Sequence, residues 1–367
     1  MPEPVVAAAT VADLVGDRAA DWDRAGRLPE EVVRKLGAAG LLAAQIPTAH
    51  GGPGWSSLDN GVFTARVGSL CSSLRSVMTS QGMAAWTVER LGSRAQATSL
   101  LPRLASTETA AVAFSEPQAG SDLSAIATTV TIEGDALLLD GHKVWVTAAE
   151  HADLFLVFAR YGEGGAVVVV PRSAPGVRLR RRSDPLGCRA AGHADVWFDG
   201  VRLPTDSLLG DGGQSLSLLV TTALTYGRIS VAWGCVGILQ ACLAAAVDHA
   251  GRRHQFGNPL AQHQLVARHL ADLWSAEQVA TRVCEHASRC WDEGSPEVVT
   301  ATVLAKYVSA GHAVRAAADA VQVLASAGAQ DGHPVARAYR DAKVMEIIEG
   351  STEMCQLMLA DRALHRR

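Results

Sequence analysis

Glu349 is the residue in this 367-residue chain that invites a chemical reading first. It lies in MEIIEGSTEM, with Met345, Ile347, Ile348 and Met354 around it, and Gly350, Ser351 and Thr352 break the helical pattern directly after it. A carboxylate beside such a break has room to face a cavity, and apolar neighbours raise its pKa towards that of a useful general base. The plainer reading is a helix-end or exposed glutamate. Three further segments carry groups suited to a polar aromatic ligand. In AFSEPQAGSDLSAI (113–126), Ser115, Ser121 and Asp122 surround Gly120, which permits close backbone approach; an ordinary strand-to-loop turn has the same composition. In GHKVWVT (141–147), Trp145 and Thr147 share one face of a strand at period two, although a Trp between valines is usually core. In GRRHQFG (251–257), Arg253, Gln255 and Phe256 are able to hold a phosphate and an aromatic base, while a helix C-terminus favours arginine in any case.

The elements that must position these groups fall into three zones. Residues 1–110 are helical in periodicity, with Leu28, Val32, Val33, Leu36 and Leu41 spaced as a buried stripe, and an irregular connection at IPTAHGGPGW. Residues 111–212 switch to short β-branched runs separated by Gly, Asp and Pro clusters, which predicts an antiparallel β domain, a barrel or sandwich, without βαβ units. Residues 213–367 return to long helices punctuated by Pro259, Pro296 and Pro334, which predicts a four-helix bundle. The expected fold is therefore α+β and mostly α, ordered helices, sheet, helices.

Composition narrows the function classes. A net charge of −4 gives no basic field for nucleic acid. The charge-free stretch Ile229–Val247 is long enough to span a bilayer, but Gln240, the small residues Gly234, Gly237 and Ala241, and the lack of a positive flank favour a buried bundle helix over a membrane role. No basic n-region precedes an apolar run at the N-terminus, and the seven cysteines form no CxxC pair. Reduced thiols, a cytoplasmic location and no metal are the expectation.

Taken in order, SEPQAGSD, KVWVT, RHQFG and the block from AVQ through RDAK to IIEGSTE make the chain resemble an acyl-CoA dehydrogenase over nearly its full length. The resemblance implies FAD as cofactor and an acyl thioester as substrate. It implies that Phe114, Ser115, Gly120 and Ser121 line the flavin and the acyl end, and that Trp145 and Thr147 meet the flavin ring. It further implies that Arg253, Gln255, Phe256, Gln322 and Ser326 reach FAD across a subunit boundary, in a homodimer or homotetramer. Ser351 and Glu353 would contact the cofactor, and Ser121, Arg228 and Gly350 the substrate. Glu349 falls on the usual base position. Some relatives carry the base just before the arginine of TYGRISVAW, where this chain has Gly227.

The sequence departs from the family at Ala191 and His193, where Ser and Thr are usual near the CoA tail. It departs also at Ala325 and Ser326 in place of two glycines, and at Glu353 in place of Gln. The chain looks similar to dehydrogenases of polyketide clusters that act on a small oxygenated acyl group held by an acyl carrier protein, and the basic run Arg178, Arg180, Arg181 and Arg182 is a candidate carrier contact or simply a solvated strand edge. A conventional short-chain acyl-CoA dehydrogenase, a flavin monooxygenase or oxidase, and a scaffold without flavin are the other readings. The electron acceptor is open, an electron-transfer flavoprotein being one candidate.

Overall fold

The computed structural model describes residues 3–365. Six helices come first: α1 (Pro4–Val15), α2 (Ala19–Ala25), α3 (Glu30–Ala38), α4 (Ser57–Leu70), α5 (Ser72–Leu91) and α6 (Arg94–Leu104). The stripe Leu28, Val32, Val33, Leu36 and Leu41 is buried as its spacing predicts, packed against Phe63, Val67, Leu74 and Val77 of α4 and α5. Helix α5 differs from its neighbours in being enclosed on every side: all positions from Ser72 to Ala85 are buried, polar ones included.

Seven strands follow: β1 (Ala110–Ala113), β2 (Thr129–Glu133), β3 (Ala136–Val146), β4 (Leu154–Tyr161), β5 (Gly164–Pro171), β6 (Val177–Arg181) and β7 (Ala194–Pro204). Each of the β-branched runs in the sequence is a strand. They form one sheet in the order β1-β4-β2-β3-β7-β6, with β5 also paired to β4. Most pairs are antiparallel as expected, but β1 runs parallel to β4 from Ala110↔Leu154 to Ala113↔Val157, and β2 meets β4 in parallel at Thr129↔Arg160. The long 114–128 loop and the β2–β3 hairpin supply the length that a parallel return needs, so no crossover helix is required. A second departure concerns Trp145. The β3–β7 register shifts between Lys143 and Val146, Trp145 adopts φ 57°, and Thr147 lies beyond the strand, so the period-two face does not hold. A bulge re-aims a side chain in this way, and it turns Trp145 outward to 49% exposure rather than into the core.

The C-terminal part contains α7 (Leu216–Arg252), the small hairpin β8 (His254–Gln255) and β9 (Asn258–Pro259), then α8 (Gln264–Asp292), α9 (Val298–Leu324), α10 (Pro334–Ile347) and α11 (Thr352–Leu364). Helices α7 to α10 are the expected four, and a fifth, α11, follows the break around Glu349. Among the described residues α7 is the one helix long and apolar enough to cross a membrane, and it is a core helix, walled by α4, α5, α8 and α9. Small residues let those walls close: a Cβ on Gly237 would overlap the carbonyl oxygen of Ala65 in α4. All seven cysteines are free and buried, and no metal-binding cluster occurs among the described residues.

Candidate active site

The chain break at Glu349 is built by capping. Helix α10 ends at Ile347, Ile348 is extended, Glu349 and Gly350 take φ 56° and 94°, and Ser351 caps α11 by accepting from Met354 N at 3.4 Å. The break thus begins before Glu349 rather than directly after it. Two consecutive positive φ values end one helix and start the next, and for a non-glycine residue such a conformation costs on the order of 1–3 kcal/mol. It persists because the surroundings hold it. Lys306 on α9 donates from Nζ to the carbonyls of Glu346 at 3.1 Å and Gly350 at 2.5 Å, and Arg228 on α7 donates from Nε to the Glu349 carbonyl at 3.2 Å.

The Glu349 carboxyl points back towards α7. A Cβ on Gly227 would overlap Oε2 of Glu349 and lie 2.7 Å from Cδ, with Met83 Cε at 3.2 Å. The glycine therefore leaves the space that the carboxylate fills. Oε2 of Glu349 and Nη1 of Arg228 are both buried without a hydrogen-bond partner. Burial pushes the Glu349 carboxyl above the usual carboxylate range, against the opposing fields of Arg228, Lys306 and Arg75. Unsatisfied buried polar atoms are uncommon in folded proteins, and a cluster of them marks a place made for a ligand.

The 114–126 loop is held by a buried pair. Lys143 on β3 donates to Glu116 at 2.7 Å and to the Phe114 carbonyl at 2.9 Å, while Glu116 accepts from the backbone N–H of Ala127 at 2.7 Å and of Thr128 at 3.0 Å. Burial works against the Glu116 carboxylate, but the Lys143 charge and these hydrogen bonds outweigh it and hold its pKa down to about 2. The Phe114 ring packs tilted against Phe158 with centroids 4.4 Å apart, the Ser115 carbonyl accepts from Val144 N at 2.8 Å, and Gly120 and Ser121 stay exposed. A Cβ on Gly120 would meet nothing within 4 Å.

The outward Trp145 ring stands edge-on to His193 at 6.0 Å, and Thr147 Oγ1 lies 3.3 Å from His193 Nδ1. Burial drives the His193 pKa down to about 4, which keeps the imidazole neutral near pH 7. His193 is therefore part of the Trp145–Thr147 wall. The basic run beside it is largely neutralised: Arg178 pairs with Asp199, Arg180 and Arg182 with Asp195, and Arg181 with Glu150. The solvated-edge reading fits this pairing better than a free basic patch.

The remaining sequence candidates lie elsewhere. Arg253 follows the end of α7, and at 1.5 Å per residue it is roughly 40 Å along the helix from Gly227. Arg253, Gln255 and Phe256 are exposed on the β8–β9 hairpin, Phe256 at 93% with φ 50°. Gln322 lies roughly 24 Å along α9 from Lys306 by the same rise, and Ser326 sits exposed in the single turn Ala325–Ala327. One chain cannot bring these five residues to Glu349. Ser351 stands next to the base as the α11 cap, and Glu353 is exposed in the first turn of that helix.

Sequence reasoning missed Lys306, Arg75 and the Lys143–Glu116 pair, and it named His193 only as a departure from the family pattern. The readable signal was a lone charge inside an otherwise uncharged stretch of helix, as in SSLRSVMTSQGMAAWTV (72–88).

Sequence-family profiles described as the acyl-CoA dehydrogenase N-terminal, middle and C-terminal domains match residues 6–108, 111–201 and 218–364. The chain belongs to the acyl-CoA dehydrogenase family, whose members are FAD-dependent oxidoreductases acting on CH–CH bonds. It is 32% identical to the mitochondrial short-chain specific acyl-CoA dehydrogenase of Homo sapiens over 94% of this chain and 85% of that one. It is also 32% identical to the glutaryl-CoA dehydrogenase of Desulfococcus multivorans, over 92% and 90% of the two chains. Among solved structures, FkbI for biosynthesis of the methoxymalonyl extender unit of the Fk520 polyketide is 60% identical, with TM-score 0.94 over 98% of this chain and 99% of that one.

Proposed function

We propose that this chain is an acyl thioester dehydrogenase in which Glu349 is the base, and that its acyl group is small, oxygenated and carried on an acyl carrier protein. The observation that carries the first part is the Glu349 carboxyl, whose Oε2 is enclosed and unpartnered, in a chain break and seated in the space that Gly227 leaves open. An unpaired carboxylate of raised pKa takes a proton from the carbon next to a thioester carbonyl more readily than a solvated one. The backbone N–H of Glu349, aimed by the strained turn, donates to that carbonyl and stabilises the enolate-like charge as the proton leaves. Arg228 and Lys306 hold the turn through its carbonyls, so the base and the donor move as one unit.

The chain's donor set suits FAD: an outward tryptophan beside a threonine, a glycine loop with open space over it, and, on the far hairpin, an exposed phenylalanine with an arginine and a glutamine. In this reading Phe114, Ser115, Gly120, Ser121, Trp145, Thr147, Ser351 and Glu353 of one chain hold the cofactor, with Arg253, Gln255, Phe256, Gln322 and Ser326 of a neighbour. FAD supplies the acceptor for the hydride that leaves the β-carbon. Ser121, Arg228 and Gly350 face the substrate. The distance between the two residue sets supports a homodimer or homotetramer; in the same reading the enzyme works in the cytoplasm and passes electrons to an acceptor such as an electron-transfer flavoprotein.

The carrier-protein reading is supported by the 60% identity to FkbI, a protein named for methoxymalonyl extender-unit biosynthesis. A conventional short-chain acyl-CoA dehydrogenase is the second reading, favoured by the human relative. An anaerobic titration of the FAD-loaded protein with matched acyl groups on carrier protein and on CoA decides between them. Bleaching of the flavin by the carrier-bound thioester alone supports the proposal; equal bleaching by acyl-CoA favours the second reading, and no bleaching by either rejects dehydrogenation of these acyl groups.

A further inference from the structure

Trp145 is held in a conformation that a bulky residue rarely adopts, at φ 57°, and its large ring faces outward at 49% exposure. Such a residue persists only where its surroundings over-determine it. Asp195 on β7 supplies the hold. It is 1% exposed and lies across from the bulge, between the Ala194↔Val146 and Val196↔Lys143 pairs. Its carboxylate accepts from Arg182 Nε at 2.8 Å and from Arg180 Nη2 at 3.1 Å. Burial works against the charged form, but these bonds, the Arg182 charge and a bond from the Trp145 backbone N–H outweigh it and keep the pKa below the usual carboxylate range. One buried carboxylate therefore ties the bulge to the residues at the end of β6.

Arg182 completes the arrangement. Its backbone N–H donates to the His193 carbonyl at 2.9 Å. Its guanidinium carbon lies 4.6 Å from the Trp145 ring centroid, the closest cation–ring contact among the described residues. Arg180 provides the contrast. It shares Asp195, but its guanidinium lies over Trp197 at 5.1 Å, a half-buried indole that also stacks on His142 at 4.3 Å. Trp197 thus has a partner from each flanking strand, β3 and β6. Trp145 has a cation over one face and the His193 edge at 6.0 Å, and about half of its surface stays open. A ring fixed in this way is prepared for a planar partner, because stacking needs one defined face.

We propose that Asp195 and Arg182 are positioning residues of the cofactor site. Asp195 anchors both Arg182 and the bulge, and Arg182 caps one face of Trp145, so that the ring offers its other face to the flavin in a single orientation. This rests on the reading that Trp145 meets the flavin. The strained backbone fixes that face before the cofactor arrives, so less ordering is left to the binding step.

The test is the emission yield of bound FAD, together with its dissociation constant, in the FAD-loaded protein. An indole stacked on a flavin quenches its emission by electron transfer, so the yield reports ring placement independently of turnover. Arg182→Met raises the yield and weakens FAD binding about 2–30-fold, the range of a cation–π contact converted to affinity. Arg182→Lys, which keeps a cation over the ring and a partner for Asp195, restores most of both. Arg180→Met, which removes the other arginine from the same carboxylate, leaves both at the parent values. Parent-like yield and affinity in Arg182→Met overturn the proposal. So does an equal effect of Arg180→Met, the mark of a general loss of charge at this strand edge. Trp145→Ala tests the underlying reading separately: it raises the yield when Trp145 meets the flavin. A parent-like yield in that variant sinks the flavin placement and this proposal with it, whereas a raised yield there beside a parent-like Arg182→Met sinks this proposal alone.

Discussion

Two carboxylates, the buried Glu116 and the half-buried Glu349, show how differently one chain treats the same functional group. Glu116 is closed off with every need met: a lysine at 2.7 Å, two backbone N–H groups and the Gln118 amide all point at it, and its pKa is held down to about 2. Glu349 is equally enclosed at Oε2 but has no partner there, sits on a left-handed residue, and has its pKa pushed up by burial. The first arrangement fixes a loop. The second keeps a group reactive, and the protein tolerates the cost by clamping the turn through Lys306 and Arg228. Matched charge therefore locates the scaffold, and unmatched charge locates the chemistry.

The largest effect expected from breaking this contrast is on rate. Glu349→Gln removes the base while keeping the shape, so anaerobic flavin reduction by substrate falls about 10²–10⁴-fold, the usual contribution of a positioned base. Stopped-flow absorbance reads it directly, and a loss under tenfold would assign proton abstraction to another group. The matched pair should respond in stability instead. Lys143→Met leaves the Glu116 carboxylate without its counter-charge, held only by the Ala127 and Thr128 N–H groups and the Gln118 amide, which costs about 3–5 kcal/mol in denaturant unfolding near pH 7. The sign with pH follows from the lowered carboxyl. In the parent, Glu116 contributes its stability above about 4.5, and that contribution is lost as pH falls towards about 2. In the variant the carboxyl that lacks a counter-charge escapes its penalty by protonating, so the gap between the two proteins narrows as pH falls.

A smaller effect separates the two glutamates by titration. Glu349 acts deprotonated and its pKa is raised, so the reduction rate climbs with pH through a limb lying above the ordinary glutamate value of 4.5. Stopped-flow reduction of the parent across pH 5 to 9 locates that limb. The opposing fields of Arg228, Lys306 and Arg75 predict that Lys306→Met moves it higher. A limb at or below the ordinary value would place Glu349 in a wetter setting than its burial indicates.

Much of this contrast was legible in the sequence, and the illegible part has a common physical cause. The three-zone order, all seven strand runs and the apolar neighbours of Glu349 follow from local periodicity and turn chemistry, which act over a few residues. The parallel seating of β1 beside β4 does not, because nothing near Ala110 records that its partner lies past residue 150. Trp145 misled because alternation presumes an unbroken strand, and the bulge before Val146 is set by β7. Arg75, Lys306 and Lys143 were missed for a related reason. A single charge in a helix or strand reads as a solvent-facing residue until the element is known to be buried on all sides, as α5 is. Arg253, Gln255 and Phe256 were read from their own chemistry and Gln322 and Ser326 from resemblance, and distance along α7 and α9 assigns all five to a different neighbourhood from Glu349.

The weakest expected effect concerns a second strained residue, one with no charge at stake. Ala325 replaces a glycine usual in the family, yet it keeps a glycine-like backbone at φ 52°, ψ −130°, and it is exposed at the end of α9. Glu349 bears its positive φ for a reason that the site supplies, whereas Ala325 carries no side chain that could benefit. Relief of such strain is worth on the order of 1–3 kcal/mol, and glycine gives back about 0.4–1 kcal/mol through the freedom it adds to the unfolded chain. Ala325→Gly should therefore raise stability by about 1 kcal/mol, a shift of a few degrees or less in Tm for a chain of this size. The same substitution at the base, Glu349→Gly, should relieve comparable strain while abolishing turnover. If Ala325→Gly instead melts lower, the strained conformation at 325 is being held by contacts that favour alanine, and strain without charge would no longer mark an idle position in this fold.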